Sequence, residues 1–85
     1  MVLIDFPSPE MQSVGFLMRN FTDATTGREI AVVYVPTAFN PTAGFVELVP
    51  VEKVTTTDMT MDQAMQMVLS GGAVSPDSIR TGRIG

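Results

Sequence analysis

The chain has 85 residues, a net charge of −4, and neither cysteine nor histidine. That length allows one domain at most. The missing side chains exclude disulfides, thiolate metal sites and the commonest general base, and the acidic charge argues against a nucleic-acid partner. Because 45% of the residues are apolar and only 16% are charged, we expect a partner to cover part of the surface.

The first part of the chain predicts three strands. Residues 2–6 are rich in β-forming side chains, and proline follows them. Residues 14–21 place their apolar side chains alternately on two faces. A turn cluster at 23–27 ends in Gly27, which can adopt positive φ. Residues 30–35 are apolar on both faces, as in a strand that is covered on both sides.

Segment 36–44, PTAFNPTAG, is predicted to be an ordered loop before a strand at 45–49. Its prolines hold the preceding residues extended. Thr37, Asn40 and Thr42 can bond to nearby backbone, and Asn40-Pro41-Thr42 is expected to form a local turn. Two positions remain open for Phe39: packed inwards as a cap on the sheet, or projecting outwards as a contact.

A helix over 61–70 is predicted after a short extended run at 55–57. Thr60 and Gln63 have capping-box spacing, and the glycines after Ser70 provide a stop. An apolar stripe at helical spacing should pack on the sheet: Met61, Ala64, Met65, Val68 and Leu69. Met61 and Met65 are expected to be core residues.

These elements predict an α+β fold, because strands come first and the helix comes last. We expect an antiparallel meander of four main strands, able to roll into a half-barrel, with the helix packed on the sheet. The single domain should span 1–78. Residues 79–85 lack periodicity and are expected to be a flexible tail.

Catalytic, metal-binding and cofactor-binding residues are not predicted. Serines and threonines are plentiful, but the sequence contains no arrangement that would activate one as a nucleophile. Glu47 is the one carboxylate inside an apolar strand. An enzyme centred on it is the weakest reading, and it requires a second carboxylate beside Glu47 in a cleft.

Residues 33–45, VYVPTAFNPTAGF, resemble the central signature of the COV-like (continuous-vascular-ring-like) family of integral membrane proteins. The resemblance extends over about 2–78 through VLIDFP, LVP, DMT, SGG and VSP. Phe39, Ala43 and Glu47 depart from the family pattern. The resemblance implies a soluble domain that follows two membrane helices absent from this chain, in a family without an assigned activity.

We therefore expect a non-enzymatic domain of a membrane-associated parent protein, soluble by itself, which associates with itself or recruits another protein. The alternative is a small-ligand-binding domain with an apolar pocket under the 36–44 loop, near Tyr34. The candidate binding residues all lie in or beside that loop: Thr37, Phe39, Asn40, Thr42 and Phe45.

Overall fold

The computed structural model describes residues 1–83, apart from the Pro41 side chain, and its strands and helix confirm the α+β class. The elements follow one another along the chain: β1 Val2–Asp5, β2 Gln12–Thr22, β3 Glu29–Thr37, β4 Asn40–Pro50, a 3₁₀ turn Val51–Lys53, β5 Thr55–Thr57, α1 Met61–Leu69 and β6 Thr81–Arg83. Within these residues, the predicted strands at 2–6, 14–21, 30–35 and 45–49 all form.

The sheet has six strands in the order β4-β3-β2-β1-β5-β6, and all neighbours are antiparallel. Strands β1 to β4 form the predicted meander. The two further strands add to the free side of β1, so the predicted count of four is too low. The sheet stays open rather than closing into a barrel, and β4 and β6 are its edges.

Residues 79–85 were predicted to be a flexible tail, but part of this segment forms a strand. Residues Thr81–Arg83 form β6 and pair with β5, with Thr57 opposite Thr81. The backbone N–H of Asp58 also donates to the Arg80 carbonyl at 3.1 Å. Three residues carry too little pattern to predict a strand, and their partner is distant in sequence. Residues 84 and 85 of the predicted tail lie outside the described part.

Strand β2 connects two halves of the sheet. Its first residues pair with β1, and those from Phe16 onward pair with β3, with a register shift around Met18. Gly15 lies at the change of partner. A Cβ there would lie 2.4 Å from Val33 Cγ1, so glycine permits the close approach of β3.

The core lies on one face of this sheet, called the inner face. Val2 and Ile4 from β1 and Val33 from β3 are nearly fully buried in one cluster with Val54. Paired residues of antiparallel strands share a face, and a sheet that curls over this face brings the side chains of β1 and β3 into one cluster. The rings of Phe6 and Phe45 confirm that curl, since their centroids are 5.4 Å apart between the ends of β1 and β4.

Helix α1 lies on the opposite, outer face, where grooves place Met61 and Met65 beside Tyr34. The capping box forms as predicted, with Gln63 N–H donating to Thr60 Oγ1 and Thr60 N–H donating to Gln63 Oε1. Ala64 and Val68 are buried. Met61 was predicted to be a core residue, but it is 58% exposed, because it lies at the helix start on the open rim of the groove beside Tyr34.

The Schellman motif ends α1 at the predicted glycines. Gly71 N–H donates to the Val68 carbonyl and Gly72 N–H donates to the Met67 carbonyl. Both glycines have positive φ, at 66° and 95°, a conformation that glycine adopts without a Cβ penalty.

The predicted loop 36–44 is wrong as a loop. Strand β3 continues to Thr37, only Ala38 and Phe39 form the turn, and β4 begins at Asn40. Pairing changes from Pro36↔Gly44 to Thr37↔Asn40, so the intervening residues form a bulge in β4. Proline suggested a loop, but an edge strand tolerates missing N–H groups on its open side.

Candidate functional site

Three of the predicted binding residues meet at the tip of the β3–β4 hairpin. The Asn40 Oδ1 atom accepts from Thr42 N–H at 3.2 Å and from Thr42 Oγ1 at 2.6 Å. Thr37 Oγ1 lies 3.1 Å from the Asn40 carbonyl oxygen and 3.0 Å from that of Ala43. The predicted bonding of the Asn40 side chain to nearby backbone is confirmed, but the predicted turn at Asn40-Pro41-Thr42 is wrong, since these residues belong to β4 and the turn lies at Ala38 and Phe39. These polar atoms therefore hold the tip itself together.

Phe39 joins the hairpin tip to the end of the helix. Its backbone N–H donates to the Val68 carbonyl at 2.8 Å, and its ring contacts the open side of Gly71, where a Cβ would lie 2.6 Å from Phe39 Cζ. The side chain is nevertheless 71% exposed. Of the two positions that the sequence left open, the ring adopts the outward one and lies along the helix C-terminus.

Phe45 and Tyr34 lie on different faces. Phe45 pairs with the buried Val35 and packs against Phe6 on the inner face. Tyr34 pairs with Phe16 on the outer face, with ring centroids 6.3 Å apart. The aromatic side chains expected to line one pocket thus diverge. The structure brings Thr37, Asn40 and Thr42 together, whereas the Phe39 ring lies against Gly71 at the helix end and Phe45 lies on the inner face.

Glu47 has apolar neighbours. It pairs with the buried Val33, and the residues beside it on its face of β4 are Phe45 and Val49. Its side chain is half-buried. In residues 1–83, no group of three or more carboxylate, histidine or cysteine side chains could hold a metal ion.

The surface that the sequence did not single out is the free edge of β4, residues 42–49, called here the β4 edge. Phe45, Val46 and Leu48 are 52%, 67% and 62% exposed. The strand lies at one side of the sheet, so its backbone faces solvent along that side. Pro41 and Pro50 flank the segment. They were the sequence signal that could have identified β4 as an edge strand, since proline in a strand indicates an edge.

Further apolar side chains continue this surface over the outer face. Met18 in the bulge of β2 and Met61 at the helix start are 63% and 58% exposed, and both border a groove beside Tyr34. Phe21 is 37% exposed further along β2. The result is an apolar surface that extends inwards from the β4 edge.

One ion pair lies at the end of the β3–β4 hairpin that is opposite its tip. Arg28 Nη2 lies 2.7 Å from Glu52 Oε1 and joins the β2–β3 connection to the 3₁₀ turn. The hydrogen bond from Arg28 lowers the pKa of the Glu52 carboxyl below its ordinary value. Both side chains are about half exposed, so the pair is a surface contact.

The fold and its surfaces define a small α+β structure with an exposed apolar edge strand. A family model for a protein of unknown function, DUF502, matches residues 1–43, half of the chain. The chain belongs to this family. The matched part contains β1 to β3, the hairpin tip and the start of β4. A search of curated proteins gave no match, and none of the solved structures matched.

Among residues 1–83, no helix has the length and apolar character needed to cross a membrane. Helix α1, Met61–Leu69, has nine residues, about half of the roughly 20 that a span needs.

Proposed function

We propose that this chain is a non-enzymatic interaction domain of a membrane protein and that it associates with itself. The observation that carries the proposal is the β4 edge, on which Phe45, Val46 and Leu48 are all more than half exposed. Monomeric proteins protect such edges, because an unpaired apolar strand is a template for another strand.

The usual protection is sparse in the middle of β4. Edge strands are commonly protected by lysine, by proline, by bulges or by inward-pointing charges. The prolines and the bulge of β4 lie towards its ends, and the segment TAGFVELV has a single charge, the half-buried Glu47 on the inner face. Covering this strand would remove apolar surface from water, and each Å² of apolar surface buried contributes about 25 cal/mol of favourable free energy.

Membrane attachment of the parent protein is the second part of the proposal. The COV-like resemblance of residues 33–45 supports it, since that family carries membrane helices ahead of a domain of this kind. Attachment would hold several copies in one plane and raise their effective concentration. A weak edge contact would then suffice for association.

A variant of this proposal is that the domain recruits a different protein. An extended segment of that protein would then add a strand to the sheet at the β4 edge. The small-ligand alternative has less support. Its aromatic residues lie on opposite faces, and the polar atoms of Asn40 and Thr42 bond to each other.

Analytical ultracentrifugation of the 85-residue chain over a wide concentration range tests self-association. We expect the average mass of the unmodified chain to rise with concentration above the 9.1 kDa of one chain. The average mass of Val46→Lys should stay at 9.1 kDa, because association would bury the lysine charge in the contact. Met11→Lys is the matched control, since Met11 is 56% exposed outside β4, and it should behave as the unmodified chain does.

Two results would contradict the proposal. A chain that stays monomeric at millimolar concentration does not associate with itself, and the recruitment variant would then remain. Association that Val46→Lys leaves unchanged would show that another surface makes the contact.

A further inference from the structure

The β4 edge has a defined length for pairing. Residues 41–43 form the bulge, and Pro50 lacks a backbone N–H, so the strand that can form a continuous ladder is limited to residues 44–49. A second copy presents the same segment with the same limits. Two such edges match each other in length, whereas the other edge, β6, offers only Thr81–Arg83 among the described residues.

Symmetry restricts how two β4 edges can pair. Closed dimers have a two-fold axis, so if residue i of one copy contacts residue j of the other, then residue j also contacts residue i. For antiparallel strands in one sheet, the axis passes through a residue that pairs with its own copy, and paired residues share a face. The central candidates on this segment are Phe45, Val46 and Glu47.

Charge excludes one of these registers. An axis at Glu47 would place two carboxylates directly opposite each other, which destabilises a cross-strand pair. An axis at Val46 places each Glu47 opposite Phe45 of the other copy. The two like charges are then staggered along the strands.

Side-chain space separates the other two registers. An axis at Phe45 would oppose two rings that each already pack against their own Phe6. An axis at Val46 pairs two β-branched side chains on the outer face, where Val46 is 67% exposed. It also places Leu48 opposite Gly44, which has no side chain to obstruct it.

We propose that two copies of this chain pair antiparallel through β4, with the two-fold axis at Val46, to form one continuous sheet. This inference rests on the proposed self-association and specifies its geometry. The paired residues run from Gly44 to Leu48 on each copy. Five residues a side are well below the roughly 20–30 of a standard interface, so the isolated domain dimerises weakly and in a concentration-dependent way.

Single cysteines test the register sharply, because the chain has no cysteine of its own. In Val46→Cys the two thiols lie opposite each other, with Cα atoms about 4.5–5.5 Å apart, within the roughly 4.4–6.8 Å that a disulfide spans. We expect air oxidation to produce a covalent dimer at least about tenfold faster than in the controls, because pairing raises the local thiol concentration.

Leu48→Cys is the matched control on the same face and strand. In the proposed register its own copy lies four residues away, about 13 Å along the strand, beyond the roughly 7 Å that a disulfide spans. It should crosslink slowly. A mixture of Phe45→Cys and Glu47→Cys gives an independent readout, since those positions face each other and should form a mixed disulfide faster than either variant crosslinks alone.

The outcomes separate this inference from the proposal on which it rests. Faster crosslinking of Phe45→Cys than of Val46→Cys overturns the register. Slow crosslinking at every β4 position, while ultracentrifugation still shows association, overturns β4 pairing and leaves self-association standing. A strictly monomeric chain removes both.

Discussion

At the scale of single residues, the β3–β4 hairpin depends on positions where backbones come unusually close. A Cβ at Gly44 would lie 2.1 Å from the Val35 carbonyl oxygen, so any side chain there would push β4 away from β3. At Phe39, by contrast, a residue with a side chain adopts a backbone conformation that glycine usually adopts. Phe39 is the non-glycine residue with positive φ among those described, at 66°, and its N–H bond to the Val68 carbonyl holds it there.

Two substitutions at Phe39 separate its ring from its backbone. We expect Phe39→Ala to change the free energy of unfolding by less than about 1 kcal/mol, because most of the ring is exposed. Phe39→Gly should be more stable than Phe39→Ala by about 0.5–1 kcal/mol, since left-handed backbone costs other residues about 1–2 kcal/mol and glycine's entropy offsets part of that.

Urea denaturation of both variants measures this difference. A loss of several kcal/mol in Phe39→Ala would instead indicate that the ring is buried against the helix end. Equal stability of the two variants would mean that the backbone at position 39 is not strained.

At the scale of elements, features that depend on neighbouring residues could be predicted from the sequence, while those that depend on distant partners could not. The capping box at Thr60, the glycine stop and the strands of the meander all follow from local pattern. The extension of β4 into residues 40–44 and the formation of β6 depend on strands elsewhere in the chain. The prolines in 36–44 favoured a loop because sequence does not show that β4 lies at an edge.

Thr60 offers a direct measure of the helix cap. We expect Thr60→Ala to lower the free energy of unfolding by about 0.5–2 kcal/mol, because Gln63 N–H loses its acceptor. Thr60→Ser keeps the hydroxyl and should remain near the original stability. Thermal or urea unfolding followed by circular dichroism distinguishes the two, and equal losses in both variants would show that the threonine methyl matters rather than the cap.

At the scale of the whole molecule, the candidate surface was predictable in kind but not in place. Low charge and high apolar content indicated that some surface needs a cover. The position of that surface follows from strand order, which the sequence did not specify. The predicted binding residues around 36–44 adjoin the β4 edge, yet most of their polar atoms serve the hairpin tip.

The Arg28–Glu52 pair connects distant parts of the chain and predicts a pH effect. Because the folded state lowers the pKa of Glu52, its contribution is present above the ordinary pKa of the carboxyl. The contribution is lost as the pH falls through the lowered folded value. NMR titration should show the pKa of Glu52 rising in Arg28→Gln.

The control for that titration is Arg80→Gln, which removes the same charge from a residue that does not contribute to the Glu52 shift. It should leave the pKa of Glu52 unchanged. An equal rise in both variants would indicate a general effect of net charge rather than the specific pair.

The position of β1 has a consequence for the order in which the protein folds during synthesis. Of the strands in the sheet, β1 is synthesised before the others and can pair with β2 soon afterwards, but its other neighbour, β5, is separated from it by the whole meander. Until β5 is made, the nascent meander has two open edges, β1 and β4. Chains growing side by side on one messenger could therefore pair wrongly through β1, and completion of β5 removes that hazard while leaving β4 available.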